Sequence, residues 1–276
     1  MSLVPKVKYL NNKELLSAIH ESKCTFCEFV DKKYSSYDII VSDLSSVTLD
    51  VLEAARQKKI ATIMAEDKKA KVVTPNLDHI VISDVTVRLM TFEHIPLNPE
   101  KTGKTKTVAE RHIRCNFPPF QHWIWENDEW HCVGRSHWKN GEFNLRGGKT
   151  TNRLAMMWMK LVERYGHRGN WRGYTYVDEM KAQALVQLSQ VGLQFDESKS
   201  SNPFAYLTSC VHTSFLKILN LEKRSQSIRD DLLIMHGATP SMTRQVEDQM
   251  AQRMETEPGQ TPEPTNSSPD DTSATN

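Results

Sequence analysis

The 276-residue chain reads as an α+β protein, and three observations predict this class. Residues 150–236 repeat apolar side chains at intervals of three and four, the period of helices buried on one side. The segment 79–95, HIVISDVTVRLMTFEHI, alternates apolar and polar residues as a strand does. The segment 117–145, FPPFQHWIWENDEWHCVGRSHWKNGEFNL, carries aromatic runs interrupted by Asn, Asp and Gly, the composition of a β-meander. Strands therefore precede a mostly helical second half.

In chain order, Ser46 or Thr48 opens a charged helix running toward Ala70. The alternation at His79–Ile95 gives one or two strands. Residues 98–114, NPEKTGKTKTVAERHIR, form a basic stretch expected to be a flexible loop. Its Gly103-Lys104-Thr105 lacks the earlier glycine of a phosphate loop, which argues against nucleotide binding. The meander then turns at Glu126–Asp128 and Lys139–Gly141. Its Trp123, Trp125, Trp130 and Trp138 suit either an aromatic platform or the core of a small sheet.

Thr150 or Thr151 caps a helix whose Leu154, Met157, Trp158, Leu161, Val162 and Tyr165 share one side, with Gly166 at its end. A loop at His167–Tyr174 supplies Arg168, Trp171 and Arg172. Thr175, with Asp178 three residues on, reads as the capping box of the next helix. Its core side is Val177, Met180, Ala184, Leu188 and Val191. Asn202 caps a further helix with Pro203 at its first position, where the missing donor costs nothing. Its buried stripe is Phe204, Leu207, Val211, Phe215 and Ile218. Ser227 and Asp230 form another capping pattern, so a separate helix is expected over IRDDLLIMHG. Thr239 and Pro240 start a last amphipathic stretch through Met254. The tail 255–276 has five acidic residues among Pro, Ser and Thr, cannot bury a core, and is expected to be disordered.

Two outward faces stand out. Opposite the core side of the Val177–Val191 helix lie Glu179, Gln183, Val186, Ser189, Gln190 and Leu193, where apolar residues mix with amides. Such a face suits helix-in-groove binding, and equally allows Val186 and Leu193 to pack on another part of the chain. On the following helix Tyr206, Thr213, Lys217, Asn220 and Arg224 recur at helical spacing. An aromatic, hydrogen-bonding groups and cations on one stripe can stack a base, read base edges and hold phosphates. A plain solvated helix face is the alternative.

Net charge is +1, weak for a free DNA-binding protein, but 149–236 holds twelve Lys/Arg against eight Asp/Glu, a local +4. No apolar run has the length of a membrane span and the first residues lack a signal peptide's apolar stretch, so a cytoplasmic protein is expected. Five cysteines suit a reducing compartment better than a disulfide framework. Cys24 and Cys27 are spaced as zinc ligands, with Cys115 and Cys132 as possible partners beside His112, His122, His131 and His137. The absence of a second pair at matching spacing makes buried free cysteines the default reading. No Ser/His/Asp order or carboxylate cluster suggests hydrolysis.

The segments KYLNNKELLSAI at Lys8–Ile19 and GYTYVDEM followed by FDESKSSNPFAYLT within Gly173–Thr208 carry a resemblance. They resemble the second conserved region of bacterial RNA polymerase sigma factors, and look most like the late-transcription sigma factors of T-even-like phages. The likeness covers only part of the chain. It implies an all-helical, sigma region 2-like second half with an inserted α+β domain: an amino-terminal helix within 1–23, the insert at 24–148, helices at 149–236, a further helix at 237–254 and the tail at 255–276.

In that family the first helix grips the clamp coiled coil of the largest subunit of core RNA polymerase. The resemblance places Glu179 and Gln183, with Leu185 and Ser189 nearby, in this contact, and Val186 and Gln190 of the same outward face join them as candidates. The next helix captures and opens an AT-rich promoter box; Phe204 and Tyr206 sit in the matching segment, Thr213 and Lys217 fall where the family reads and holds DNA, and Asn220 and Arg224 of the same stripe join them as DNA candidates. Apart from the resemblance, the loop residues Arg168, Trp171 and Arg172 are candidates for contact with polymerase or single-stranded DNA, with plain loop packing of Trp171 as the favoured alternative. The family's tandem tryptophans are replaced by Ser209 and Cys210, so fewer stacking partners serve strand opening and an easily melted box is expected. The tail lacks the hydrophobic motif with which the phage factors bind the sliding clamp, leaving Met242–Met254 or the insert for that contact. No second promoter-reading helix pair is expected, so the chain is expected to recognise a single box. The expectation is a non-enzymatic phage late sigma factor without a cofactor, acting in the host bacterial cytoplasm on host core polymerase, with a phage co-activator or sliding clamp as further partners. The rival expectation is a zinc-binding nucleic-acid-processing enzyme centred on the Cys/His-rich insert.

Overall fold

The computed structural model describes residues 10–70, 80–100 and 107–256, with side chains at 66–70 and 254–256 excepted. The Gly103-Lys104-Thr105 motif, the first residues of the sigma-like amino-terminal segment and nearly all of the acidic tail lie outside the described residues. The class is α+β. In chain order the elements are α1 Asn12–Cys24, β1 Cys27–Phe29, β2 Ile39–Val41, α2 Leu49–Ala70, β3 Val87–Met90, the short α3 Val108–Arg111, β4 Phe120–Glu126, β5 Glu129–Ser136, β6 Trp138–Lys139, β7 Glu142–Phe143, α4 Asn152–Gly166, α5 Val177–Val191, α6 Pro203–Met235 and α7 Met242–Thr256. Chain contacts group Met1–Ile218 as one compact unit and Leu219–Asn276 as a second, the division falling inside α6. No helix among the described residues is long and apolar enough to cross a membrane.

In the first unit a five-stranded sheet runs in the order β1-β5-β4-β3-β2. All neighbours are antiparallel except β2 and β3. The hairpin β4–β5 turns on Asn127 and Asp128, at φ 52° and 64°. Two consecutive left-handed residues make the primed turn whose twist matches the strands, and Asn and Asp tolerate it best. The second expected turn is the same device, with Asn140 at φ 53° and Gly141 at φ 79° between β6 and β7. His79–Ile95 contributes one strand, β3, after a single 3-10 turn at Ile82–Asp84. The strands β1 and β2, three residues each, follow no alternation long enough to read.

The tryptophans divide rather than form one platform. Trp125 and Trp130 meet edge to face at 5.2 Å and pack on the cluster of Leu52, Ala55, Val85 and Val87 beneath α2. Trp123 donates to Gln121 Oε1 at 3.0 Å. Trp138 lies apart, with the Arg135 guanidinium 5.5 Å from its ring.

Thr151 caps α4 as expected, its hydroxyl accepting from Leu154 N at 3.3 Å. All six expected apolar residues of α4 are buried, and Gly166 is the last helical residue rather than a left-handed stop. The capping box at Thr175 is not formed. The helix α5 starts one residue later, after Tyr176, with no side-chain cap. Gly173 at φ +97° and the packing of Tyr174 on Tyr176 at 5.3 Å set that entry instead. Met180, Ala184 and Leu188 are fully buried, while Val177 and Val191 are half-buried.

On α6 the cap is the expected one, Asn202 Oδ1 accepting from Ala205 N at 3.0 Å. Leu207, Val211 and Phe215 are fully buried, Ile218 is half-buried, and Phe204 departs from the expected stripe at 37% exposure. It sits in the first turn, where its own N–H donates to Asn12 Oδ1 of α1 at 3.1 Å while its ring stays partly in solvent. The separate helix at Ser227–Asp230 does not exist: α6 continues unbroken to Met235, because nothing between Arg224 and Met235 is Gly or Pro. The stop is Gly237, at φ +69°. Its N–H donates to Ile234 O at 3.0 Å, and Ala238 N donates to Leu233 O at 2.8 Å, the paired bonds of a Schellman motif. Within the second unit, Asp230 accepts from the backbone N–H and hydroxyl of Ser241, 2.8 and 2.7 Å away, just ahead of α7.

Candidate functional site

The outward face of α5 is held in place from behind. Its buried residues lock one side, and Lys181 pairs with Glu163 of α4 at 3.2 Å. At its end, an added Cβ at Gly192 would stand 2.4 Å from the Trp158 ring, so only glycine lets the helix end settle on that indole. The indole Nε1 has no hydrogen-bond partner among the described residues. On the free side Glu179, Ser189 and Gln190 are exposed, Val186 is 49% exposed, and Gln183 and Leu185 are half-buried. Leu193 does not belong to this face: it is 6% exposed in the turn after α5 and joins the core.

Along α6 the expected DNA residues have different settings. Tyr206 is half-buried, its hydroxyl donating to Val191 O at 2.7 Å and its ring 5.5 Å from Phe195. Burial pushes its phenol up to about 12. It joins α6 to the end of α5, and its ring is only partly available. Phe204 and Lys217 are exposed, and Thr213 is exposed with its hydroxyl turned back onto Ser209 O at 3.0 Å. Asn220 and Arg224 are exposed in the second unit.

Between these helices, the loop residue Glu197 leads to a buried polar cluster that sequence reading missed. Glu197 accepts from Lys23 Nζ at 2.9 Å, Tyr37 Oη at 2.8 Å and Arg88 at 2.5 Å. Arg88, 1% exposed, lies between the faces of Tyr37 and Phe120, 3.8 and 3.9 Å from the ring centres. Its Nε donates to His122 Nε2 at 3.0 Å, and its other terminal nitrogen meets His20 Nδ1 at 2.9 Å. Each histidine turns its second nitrogen to a carbonyl, Tyr34 O for His122 and Ser35 O for His20. Both rings are thus neutral acceptors toward Arg88. Burial, reinforced by the Arg88 charge, lowers His122 to about 3 and His20 to about 4. Glu197 is held down at about 2 by Lys23 and Arg88, against the opposing effect of burial. Lys23 also donates to Phe195 O at 2.7 Å, and burial lowers its pKa. Two buried cations thus face one buried carboxylate. The signal was a lone Arg in an apolar strand, and nothing local pairs it with a Glu 109 residues away.

The sulfur atoms do not assemble. Cys24, Cys27, Cys115, Cys132 and Cys210 are free, and burial raises Cys24 and Cys115 to about 11. Among the described residues no three or more His, Cys, Asp or Glu side chains gather in a way that would hold a metal ion. Comparison with protein-family profiles, curated proteins and solved structures returns no match.

Proposed function

We propose that the chain is a non-catalytic promoter-specificity subunit of the sigma type. It docks on the clamp coiled coil of host core RNA polymerase through the outer face of α5, and presents the first part of α6 to an AT-rich promoter box in the host cytoplasm. The carrying observation is α5 itself: its inner side is fully buried at Met180, Ala184 and Leu188, while Val186 stays 49% exposed among Glu179, Ser189 and Gln190. A rigidly backed helix with an apolar centre and polar rim suits docking on a partner helix. The resemblance of Gly173–Thr208 to sigma factors supplies the partner. Of the DNA candidates, Phe204, Thr213 and Lys217 are outward on α6, and Tyr206 serves as the strut that fixes the helix beneath them.

Co-purification tests the reading. Glu179→Lys reverses charge at an exposed position and is expected to abolish capture of core polymerase, with the thermal melt of the chain unchanged. Undiminished capture would reject the docking face. Run-off transcription from an AT-box template then reports whether the docked chain confers promoter choice.

A further inference from the structure

The loop between α4 and α5 carries an aromatic and basic ledge. The thirteen residues Arg164–Tyr176 include three arginines and no carboxylate. A rigid floor is built first: Tyr165, Trp171 and Phe215 are buried and mutually packed, with ring centres 5.1 to 6.1 Å apart. Gly173, at φ +97°, reverses the chain beyond Trp171. Tyr174 therefore emerges 37% exposed, its ring 6.4 Å from Trp171 and 5.3 Å from Tyr176. Arg168 lies exposed with its guanidinium 4.5 Å from the Tyr165 ring centre, and Arg172 is exposed. Tyr165 Oη and His212 Nδ1 share a hydrogen bond of 2.7 Å, which joins the ledge to the outer side of α6. The acids that flank the stretch are Glu163 and Asp178, both paired with Lys181, at 3.2 and 3.3 Å, and the exposed Glu179.

We infer that this ledge is a binding site for single-stranded nucleic acid, with a base stacked on Tyr174 and adjoining phosphates held by Arg168 and Arg172. An exposed ring on a rigid aromatic floor, flanked by cations within a stretch that itself carries no carboxylate, matches the requirements of sequence-tolerant strand binding. The inference goes beyond polymerase docking and does not require it.

The test uses the full chain without polymerase, titrated against a fluorescein-labelled oligothymidylate at low salt and read by anisotropy, with oligouridylate in parallel. Tyr174→Ala is expected to weaken binding roughly tenfold, the value of one stacked base, while Tyr174→Phe binds as the parent does. The double variant Arg168→Gln, Arg172→Gln is expected to flatten the salt dependence by about 1.4 logarithmic units per decade, two phosphates at about 0.7 each. These losses on either oligonucleotide support the ledge. The inference is overturned if the parent chain binds neither strand, prefers duplex, or loses nothing on these substitutions. It is equally overturned if binding falls only with Lys217→Gln, an outcome that leaves the reading of α6 standing.

Discussion

Glu197→Gln is the substitution with the largest expected effect. The carboxylate is 4% exposed and is the sole counter-charge within the cluster to Lys23, 3% exposed, and Arg88, 1% exposed. Its pKa falls from 4.5 to about 2, which corresponds to about 3 kcal/mol of stabilisation of the charged form in the fold. Removing one partner of a buried ion pair costs a similar amount, about 3–5 kcal/mol, because the surviving charges are stranded. An amide would also turn donors toward two donors. Lys23→Met should behave differently: Arg88 and Glu197 then balance, and the loss reduces to unsatisfied acceptors, about 1–3 kcal/mol. The double variant should recover part of the Glu197→Gln loss. Urea unfolding followed by tryptophan fluorescence, at constant m-value, measures all three. If Glu197→Gln proves no worse than Lys23→Met, the carboxylate is not what balances the cluster.

Acid should unfold the chain early. His20, His122 and His137 bind a proton at about 4, 3 and 3 in the fold but near 6.5 when unfolded. Their contribution is complete above pH 6.5 and falls as pH drops toward the folded values, by up to about 1.4 kcal/mol per pH unit each. Glu197 adds a further loss below pH 4.5. Urea midpoints that stay level from about pH 6.5 to 5 would show that these rings are not buried neutral. Gly192→Ala places a methyl 2.4 Å from the Trp158 ring and should cost about 1–3 kcal/mol by overpacking, seen as a lowered urea midpoint.

Local chemistry made part of the fold legible. Asn127-Asp128 and Asn140-Gly141 announce their turns because few other residues accept positive φ, and Thr151 and Asn202 announce helix starts by their side-chain oxygens. What depends on distant neighbours was hidden. Thr175 and Ser227 carry the same capping chemistry, yet ring packing at Tyr174 and Tyr176 displaces the first, and uninterrupted helix formers override the second. Periodicity put Phe204 in the core and Leu193 on the surface, but each lies at a helix end, where rotation about the axis no longer decides burial. The outward residues Glu179, Val186, Ser189 and Gln190 of the candidate docking face were readable from spacing alone. The Arg88–Glu197 cluster was not, since its members come from five separated segments.

That cluster also bears on how the protein can be trimmed. Tyr37, Arg88 and His122 come from 24–148, whereas His20, Lys23 and Glu197 come from flanking stretches. Excising the middle to keep a minimal helical fragment would leave an unsheathed ammonium and carboxylate where the leader into α6 is anchored. Any shortened version must either carry replacements for both or keep the sheet as an internal brace.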